Sequence, residues 1–118
     1  MRVVTLACAA AALFAAPAHA VQYILTDLGT LGGPDAFSGA SAISDSGYVT
    51  GSTSTPDGVR GFRWSAGSMV SVGDLPGGSS ASIGMAVNDA GQVAGWSFAN
   101  AQRAFLWTEG SMQALGPA

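Results

Sequence analysis

The chain has 118 residues, of which 48% are hydrophobic and only 9% charged, with 17 glycines and a formal net charge of −3. Basic residues are too few to form the clustered Lys and Arg surface that nucleic acid or an anionic membrane requires, so neither is expected as a partner. The length suits one compact domain rather than two.

The first 20 residues have the pattern of a secretory signal peptide. Arg2 precedes an apolar run over 3–16, which is too short to span a bilayer comfortably, and Ala-His-Ala at 18–20 is typical of a cleavage site. We therefore expect cleavage after Ala20 and a secreted, extracellular or periplasmic location, with no membrane span in the mature chain. The alternative is an uncleaved anchor.

The region 21–118 is predicted to be an all-β repeat region, because its glycines disfavour helices and no window shows sustained helical periodicity. Residues 21–33 are interpreted as the last strand and the loop of a partial unit. The strand is expected at 22–28. The Gly- and Pro-rich stretch 28–34 that follows is typical of a connecting loop.

Two copies of one unit follow, repeat 1 over 34–76 and repeat 2 over 77–118. The sequence at 42–51 returns at 86–95, and the sequence at 62–69 returns at 105–112. Each copy is predicted to contain four short strands, expected in repeat 1 at 40–43, 48–52, 60–64 and 68–72.

Tight hairpin turns are predicted at 44–47 and 88–91, where Gly47 and Gly91 would take the left-handed conformation. Polar loops of different length are expected at 53–59 and 96–102, and they account for the one-residue change in the repeat period. Phe62 and Trp64 are two residues apart, so they share a strand face and are predicted to lie in the core.

Four short antiparallel strands in about 44 residues match the size of a propeller blade. The alternative architecture is an open β-repeat array. Two copies and a leftover strand are too few to close a propeller, so the sequence looks like part of a larger array.

The chain resembles the HAF-repeat family of bacterial extracellular proteins. The resemblance is carried by Leu-Gly-Thr-Leu-Gly-Gly at 28–33, by the hairpin at 86–95 and by Ala-Phe-Leu-Trp at 104–107. The histidine of the family motif is replaced by Arg60 and Arg103, which we interpret as structural. The resemblance implies a secreted or surface repeat protein and names no biochemical activity.

After the leader the chain contains no His, Cys or Lys, which excludes Ser-His and Cys-His nucleophilic mechanisms. The same composition makes zinc and copper sites improbable. Asp45 and Asp89 fit turns better than a calcium loop, which needs several carboxylates at alternating positions. We therefore predict no catalytic residue, no metal site and no cofactor.

Trp96 and Phe98 are the candidate ligand-binding residues. Trp64 and Trp107 are equivalent between the repeats and are assigned to the core, whereas Ser52 stands at the position equivalent to Trp96. Residues that differ between copies beside a surface loop are better candidates for binding than residues that recur.

The sequence thus favours an exported, non-catalytic structural or binding module. Its partner is expected to be an unknown glycan or protein, or further repeats by self-association. One alternative is an extracellular glycan hydrolase that uses paired carboxylates, since seven acidic residues are present. Another is a truncated fragment of a longer repeat protein without independent function.

Overall fold

The computed structural model describes residues 20–77 and 81–116, which form two four-stranded antiparallel sheets. Sheet 1 contains β1 (Ser38–Ile43), β2 (Val49–Thr55), β3 (Gly58–Ser65) and β4 (Ser68–Gly73). Sheet 2 contains β5 (Ser82–Val87), β6 (Val93–Ala99), β7 (Ala101–Thr108) and β8 (Ser111–Ala114). In both sheets the spatial order of the strands is the chain order. The prediction of an all-β chain with four strands per copy is therefore confirmed.

The first hairpin turn of each sheet forms at the predicted residues. The Gly47 N–H donates to the Ser44 carbonyl over 3.0 Å, and the Gly91 N–H donates to the Asn88 carbonyl over the same distance. The two glycines have φ values of 90° and 78°, a region that other residues rarely occupy. Side chains add to both turns, since Ser44 Oγ accepts from the Tyr48 N–H.

The predicted loops at 53–59 and 96–102 are wrong. β2 continues to Thr55 and pairs with Gly58, while β6 continues to Ala99 and pairs with Ala101. The connections are therefore turns of two residues in sheet 1 and of one residue in sheet 2, which explains the change in period. The polar stretch stays extended because hydroxyl groups within it are buried and hydrogen-bonded.

Those hydroxyls belong to Thr53 and Ser97, which are completely buried. Thr53 Oγ1 accepts from the Leu31 N–H over 3.2 Å, and Ser97 Oγ accepts from the Leu75 N–H over 2.9 Å. The Gly-rich loop before each sheet is thus anchored to the second strand of that sheet in the same way. The two copies share tertiary contacts as well as sequence.

The two sheets pack face to face mainly through β5, which lies against β2 and β3 and also contacts β1. Val72 of sheet 1 packs against three buried residues of sheet 2, Val93, Phe105 and Trp107. Phe62 is fully buried, as expected for the aromatic strand, but the prediction that Trp64 also lies in the core is wrong, since Trp64 is only half-buried. Its face of β3 is the one opposite Gly61 and Arg63, which contact sheet 2.

The segment in which we expected a strand at 22–28 has no strand pairing among the described residues. A β-strand needs a hydrogen-bonded neighbour, and here the segment leaves Tyr23, Ile24 and Leu25 89%, 91% and 100% exposed. Its end is nevertheless in place, since Ser38 Oγ donates to the Gly29 carbonyl over 2.7 Å.

The predicted leader lies outside the described residues, apart from Ala20. Within 20–77 and 81–116, no helix is long and apolar enough to cross a membrane.

Candidate functional site

The interface between the sheets contains a hydroxyl that joins three backbone segments. Ser82, on β5, is completely buried, and its Oγ accepts from the Gly61 N–H over 3.0 Å. The same hydroxyl donates to the carbonyl of Gly73 at the end of β4. Because Ser82 is buried and bonds backbone groups of both β3 and β4, the contact fixes the position of β5 on sheet 1.

The backbones approach most closely around Gly61 and Gly84. A Cβ on Gly61 would lie 2.9 Å from the Gly84 nitrogen, and a Cβ on Gly84 would collide with Thr50 Oγ1. Thr50 is itself fixed, because its hydroxyl donates to the Phe62 carbonyl over 2.7 Å. Only glycine fits at these two positions in the present packing.

Arg63 joins the sheets at the other end of β3. Its Cζ lies 5.2 Å from the centroid of the Tyr48 ring and 4.9 Å from that of Trp107. Its Nη1 donates to the Gly91 carbonyl over 3.4 Å and forms an ion pair with Glu109. A guanidinium is suited to this place because it can stack on rings and donate in its plane at once.

Two acidic residues, Asp89 and Asp74, also connect segments. Asp89 does not close its own turn, since Asn88 Oδ1 accepts from the backbone there instead. Asp89 Oδ1 accepts from the Ser46 N–H of the other repeat over 3.0 Å. Asp74, on the loop that leads to sheet 2, pairs with Arg60 over 3.4 Å.

The face of sheet 2 that points away from sheet 1 is here called the outer face. Val93, Ser97 and Phe105 point toward sheet 1, so the alternating residues of β6 and β7 point outward. The outer face carries Ile83, Ala94, Trp96, Phe98, Gln102, Ala104 and Leu106. The structure therefore brings the two candidate residues, Trp96 and Phe98, to one surface.

The two candidates differ in exposure. Trp96 is half-buried and stands between Ile83 on β5 and Ala104 on β7, whereas Phe98 is 42% exposed near the end of β6. Beside them the outer face contains a groove of about 160 Å³ lined by Ala86, Ala94 and Leu106, among others. The surface is open to solvent and mainly apolar, with Asn88 and Gln92 at the groove and Gln102 beside Phe98.

A second apolar groove lies at the opposite end of the stack, on the side of sheet 1 that points away from sheet 2. It has a volume of about 400 Å³ and is here called the Leu28 groove. Its lining consists of Thr26, Leu28, Ala40, Ser41, Ala42, Ile43 and Val49. Ile43 is 71% exposed there, although its equivalent, Val87, packs against the buried core.

Arg63 and Ser82 were not identified from the sequence as residues that join the repeats. Arg63 is replaced by Leu106 in repeat 2, and that departure from the repeat was the one available signal. Across 20–77 and 81–116, no three His, Cys, Asp or Glu residues lie close enough to hold a metal ion. Comparison of the chain with protein families, curated proteins and solved structures found no match in any of the three.

Proposed function

We propose that this protein is an exported, non-catalytic β-repeat protein that acts as a structural or binding module. In this proposal the two sheets are propeller-blade-like units of the HAF-repeat type, and the outer face of sheet 2 is the surface that binds a partner. One observation carries the proposal: the outer face is more apolar than the equivalent face of sheet 1, which sheet 2 covers.

The contrast appears at most of the equivalent residues on β2–β3 and β6–β7, and it is reversed at one pair, Val59 and Gln102. Sheet 1 has Thr50, Ser52, Ser54, Gly61 and Arg63 where sheet 2 has Ala94, Trp96, Phe98, Ala104 and Leu106. A face left open to water would be expected to carry the more polar set. Exposed apolar patches of this kind are typical of surfaces that bind a partner.

The contacts of three acidic residues support the proposal that the protein is not a catalyst. Asp74 and Glu109 pair with arginines, and Asp89 holds the turn of the other repeat. Each of these carboxylates has a contact that stabilises the stack. Among the described residues, one of three surface grooves is lined by a single carboxylate, Asp35, and the other two by none, so none of the three holds the facing pair that glycoside hydrolysis uses.

The proposal is tested by measuring binding and turnover with the exported protein. Soluble polysaccharides and proteins of the same extracellular environment are titrated by calorimetry, and polysaccharide breakdown is followed by release of reducing ends. Trp96→Ser and Phe98→Ser give the outer face the residues that sheet 1 has at Ser52 and Ser54. We expect both changes to abolish binding.

Phe37→Ser is the matched control, because Phe37 is 58% exposed on the loop before β1 and lies outside the outer face. Binding should survive this change. Turnover of a polysaccharide that is lost in Asp→Asn variants would contradict the proposal. Binding that is insensitive to both outer-face changes would contradict the choice of surface.

A further inference from the structure

We propose that the protein associates head to tail with further copies of itself. The outer face of sheet 2 of one copy would cover the Leu28 groove of the next, so that the contact between copies repeats the contact between the two sheets. This inference rests on the proposed function and names the partner of its binding surface.

The end of the N-terminal segment already reproduces half of the inter-sheet contact. Leu28 and Gly29 stand where Val72 and Gly73 stand before sheet 2. Ser38 Oγ donates to the Gly29 carbonyl as Ser82 Oγ donates to the Gly73 carbonyl. The segment before sheet 1 is therefore hydrogen-bonded to β1 in the same way as the segment before sheet 2 is hydrogen-bonded to β5.

The part that is missing at the Leu28 groove is a covering sheet. In repeat 2 the equivalent surface is covered by β2 and β3 of sheet 1, which contact β5. The elements equivalent to β2 and β3 are β6 and β7, and these carry the outer face. A second copy thus presents to the groove the strands that the repeat pattern assigns to it.

The sizes of the side chains at the centre of the proposed contact compensate each other. Inside the chain Thr50 leaves space only for a glycine at position 84. Between copies the equivalent pair is Ala94 against Ala40, so the smaller residue on the outer face makes room for the added methyl group. Ala104, in place of Gly61, would set the copies slightly further apart.

At the edge of the contact, two residues that interact within the chain are both replaced in the proposed contact between copies. Leu106 replaces Arg63, and the residue that it would meet in the next copy is Trp64, the equivalent of Trp107. Ala66 replaces Glu109, so the carboxylate partner is absent where the arginine is absent. An ion pair and a cation–π contact inside the chain become an apolar contact between copies.

One steric conflict determines how the copies join. Leu115 and Leu28 both correspond to Val72, so they cannot occupy the same place in the contact. β8 is an edge strand of only four residues, whereas the loop after Leu28 is anchored through Thr53. We infer that the segment 24–28 of one copy takes the place of β8 beside β7 of its neighbour.

The exposed apolar residues of that segment fit this exchange. Leu25 corresponds to Met112, which packs against the core of sheet 2, yet Leu25 is completely exposed in the single chain. The replacement resembles domain swapping, a low-cost route to association, although the two elements are equivalent in the repeat rather than identical. It buries Ile24 and Leu25 and gives the segment the strand partner that it lacks.

The test measures the association of the exported protein by sedimentation velocity from about 1 μM to about 1 mM. Leu25→Asp should weaken association by about tenfold or more, because it places a charge in the apolar contact. The fold should be unchanged, since Leu25 is completely exposed. Phe37→Asp is the control on another exposed surface and should leave association unchanged.

A charge pair gives a sharper test of the geometry. Leu106→Arg and Ala66→Glu restore between copies the pair that Arg63 and Glu109 form within the chain. Positions 106 and 66 lie on opposite ends of one molecule, so any coupling between them reports a contact between molecules. We expect the first change alone to weaken association and the double variant to recover it by about tenfold.

A protein that stays monomeric over this range overturns the inference, as does association that neither Leu25→Asp nor the charge pair affects. A monomer whose outer face binds a glycan overturns it too but leaves the proposed function standing. Polysaccharide turnover would instead overturn the proposed function, whatever the state of association.

Discussion

The guanidinium of Arg63, on β3, lies over the ring of Trp107, on β7, with 4.9 Å between its Cζ and the ring centroid. Trp107 recurs in the repeat as Trp64, but Arg63 does not recur, because Leu106 holds its place. A residue unique to one copy thus fixes the orientation of two sheets whose strands are otherwise built alike. The stability of the stack should depend on it.

Replacing Arg63 with Met should lower the free energy of unfolding by about 1–2 kcal/mol. The change removes a cation–π contact worth about 0.5–2 kcal/mol and hydrogen bonds from a charged donor. The loss is reduced because Arg63 Nε is buried without a hydrogen-bond partner, and methionine has no such group. Denaturant unfolding followed by tryptophan fluorescence measures the effect.

Glu109→Gln is the control for the ionic part of this contact. The Glu109 side chain is 70% exposed, so water screens its pairing with Arg63, and the cost should stay below about 0.5 kcal/mol. If this change is as costly as Arg63→Met, the ion pair rather than stacking on Tyr48 and Trp107 stabilises the interface.

The strands and turns could be predicted because their signals are local. Gly47 and Gly91 mark turns that need a left-handed residue, and the spacing of Phe62 and Trp64 indicates one strand face, of which Phe62 is buried and Trp64 half-buried. Arg63 could not be assigned this way, because its role depends on how the sheets face each other. Sequence spacing within one sheet carries no information about that orientation.

The loops expected at 53–59 and 96–102 illustrate a different difficulty. Ser and Thr favour turns when their hydroxyls bond locally, and this tendency predicted loops. Thr53 and Ser97 instead accept from backbone N–H groups about twenty residues earlier in the chain, so their polarity is satisfied inside the fold. A polar strand residue with a distant partner has no local signature.

Ser82→Ala should be more costly than Ser38→Ala, although the two serines are equivalent in the repeat. Ser82 is completely buried and bonds two backbone groups, so its removal should cost about 1–3 kcal/mol. Ser38 is exposed and bonds Gly29 alone among the described residues, so about 0.5 kcal/mol or less is expected. Denaturant midpoints of the two variants give the comparison.

Equal costs for the two serines would show that the inter-sheet hydrogen bonds do not set the stability. The result would then point to the apolar contact of Val72 as the main attachment between the sheets.

Expression of the full chain in a bacterium with an export pathway should yield a protein that begins at Val21. The expected evidence is an intact mass that lacks the first 20 residues, with the product outside the cytoplasm. Substituting Ala20 with a bulky residue should block this cleavage, because the site requires small side chains. Recovery of the uncleaved chain from the wild-type sequence would contradict the assignment of a signal peptide.

Gly84→Ala should lower the free energy of unfolding by about 1–3 kcal/mol, because the added methyl group overlaps Thr50 Oγ1 and forces the sheets apart. The repeat itself suggests a second substitution that should restore stability, because Ala40 is the equivalent of Gly84 and Ala94 is the equivalent of Thr50. Thr50→Ala alone should also destabilise, because it removes the hydrogen bond to the Phe62 carbonyl.

The double variant Thr50→Ala and Gly84→Ala should then cost less than the sum of the single changes, by about 1 kcal/mol or more. Rescue should be incomplete, since the new methyl group also approaches the Gly51 carbonyl oxygen to 3.2 Å. A double-mutant cycle from denaturant unfolding measures this coupling. Strict additivity would mean that the sheets adjust freely around position 84, and an Ala40–Ala94 contact between copies would then have no steric basis.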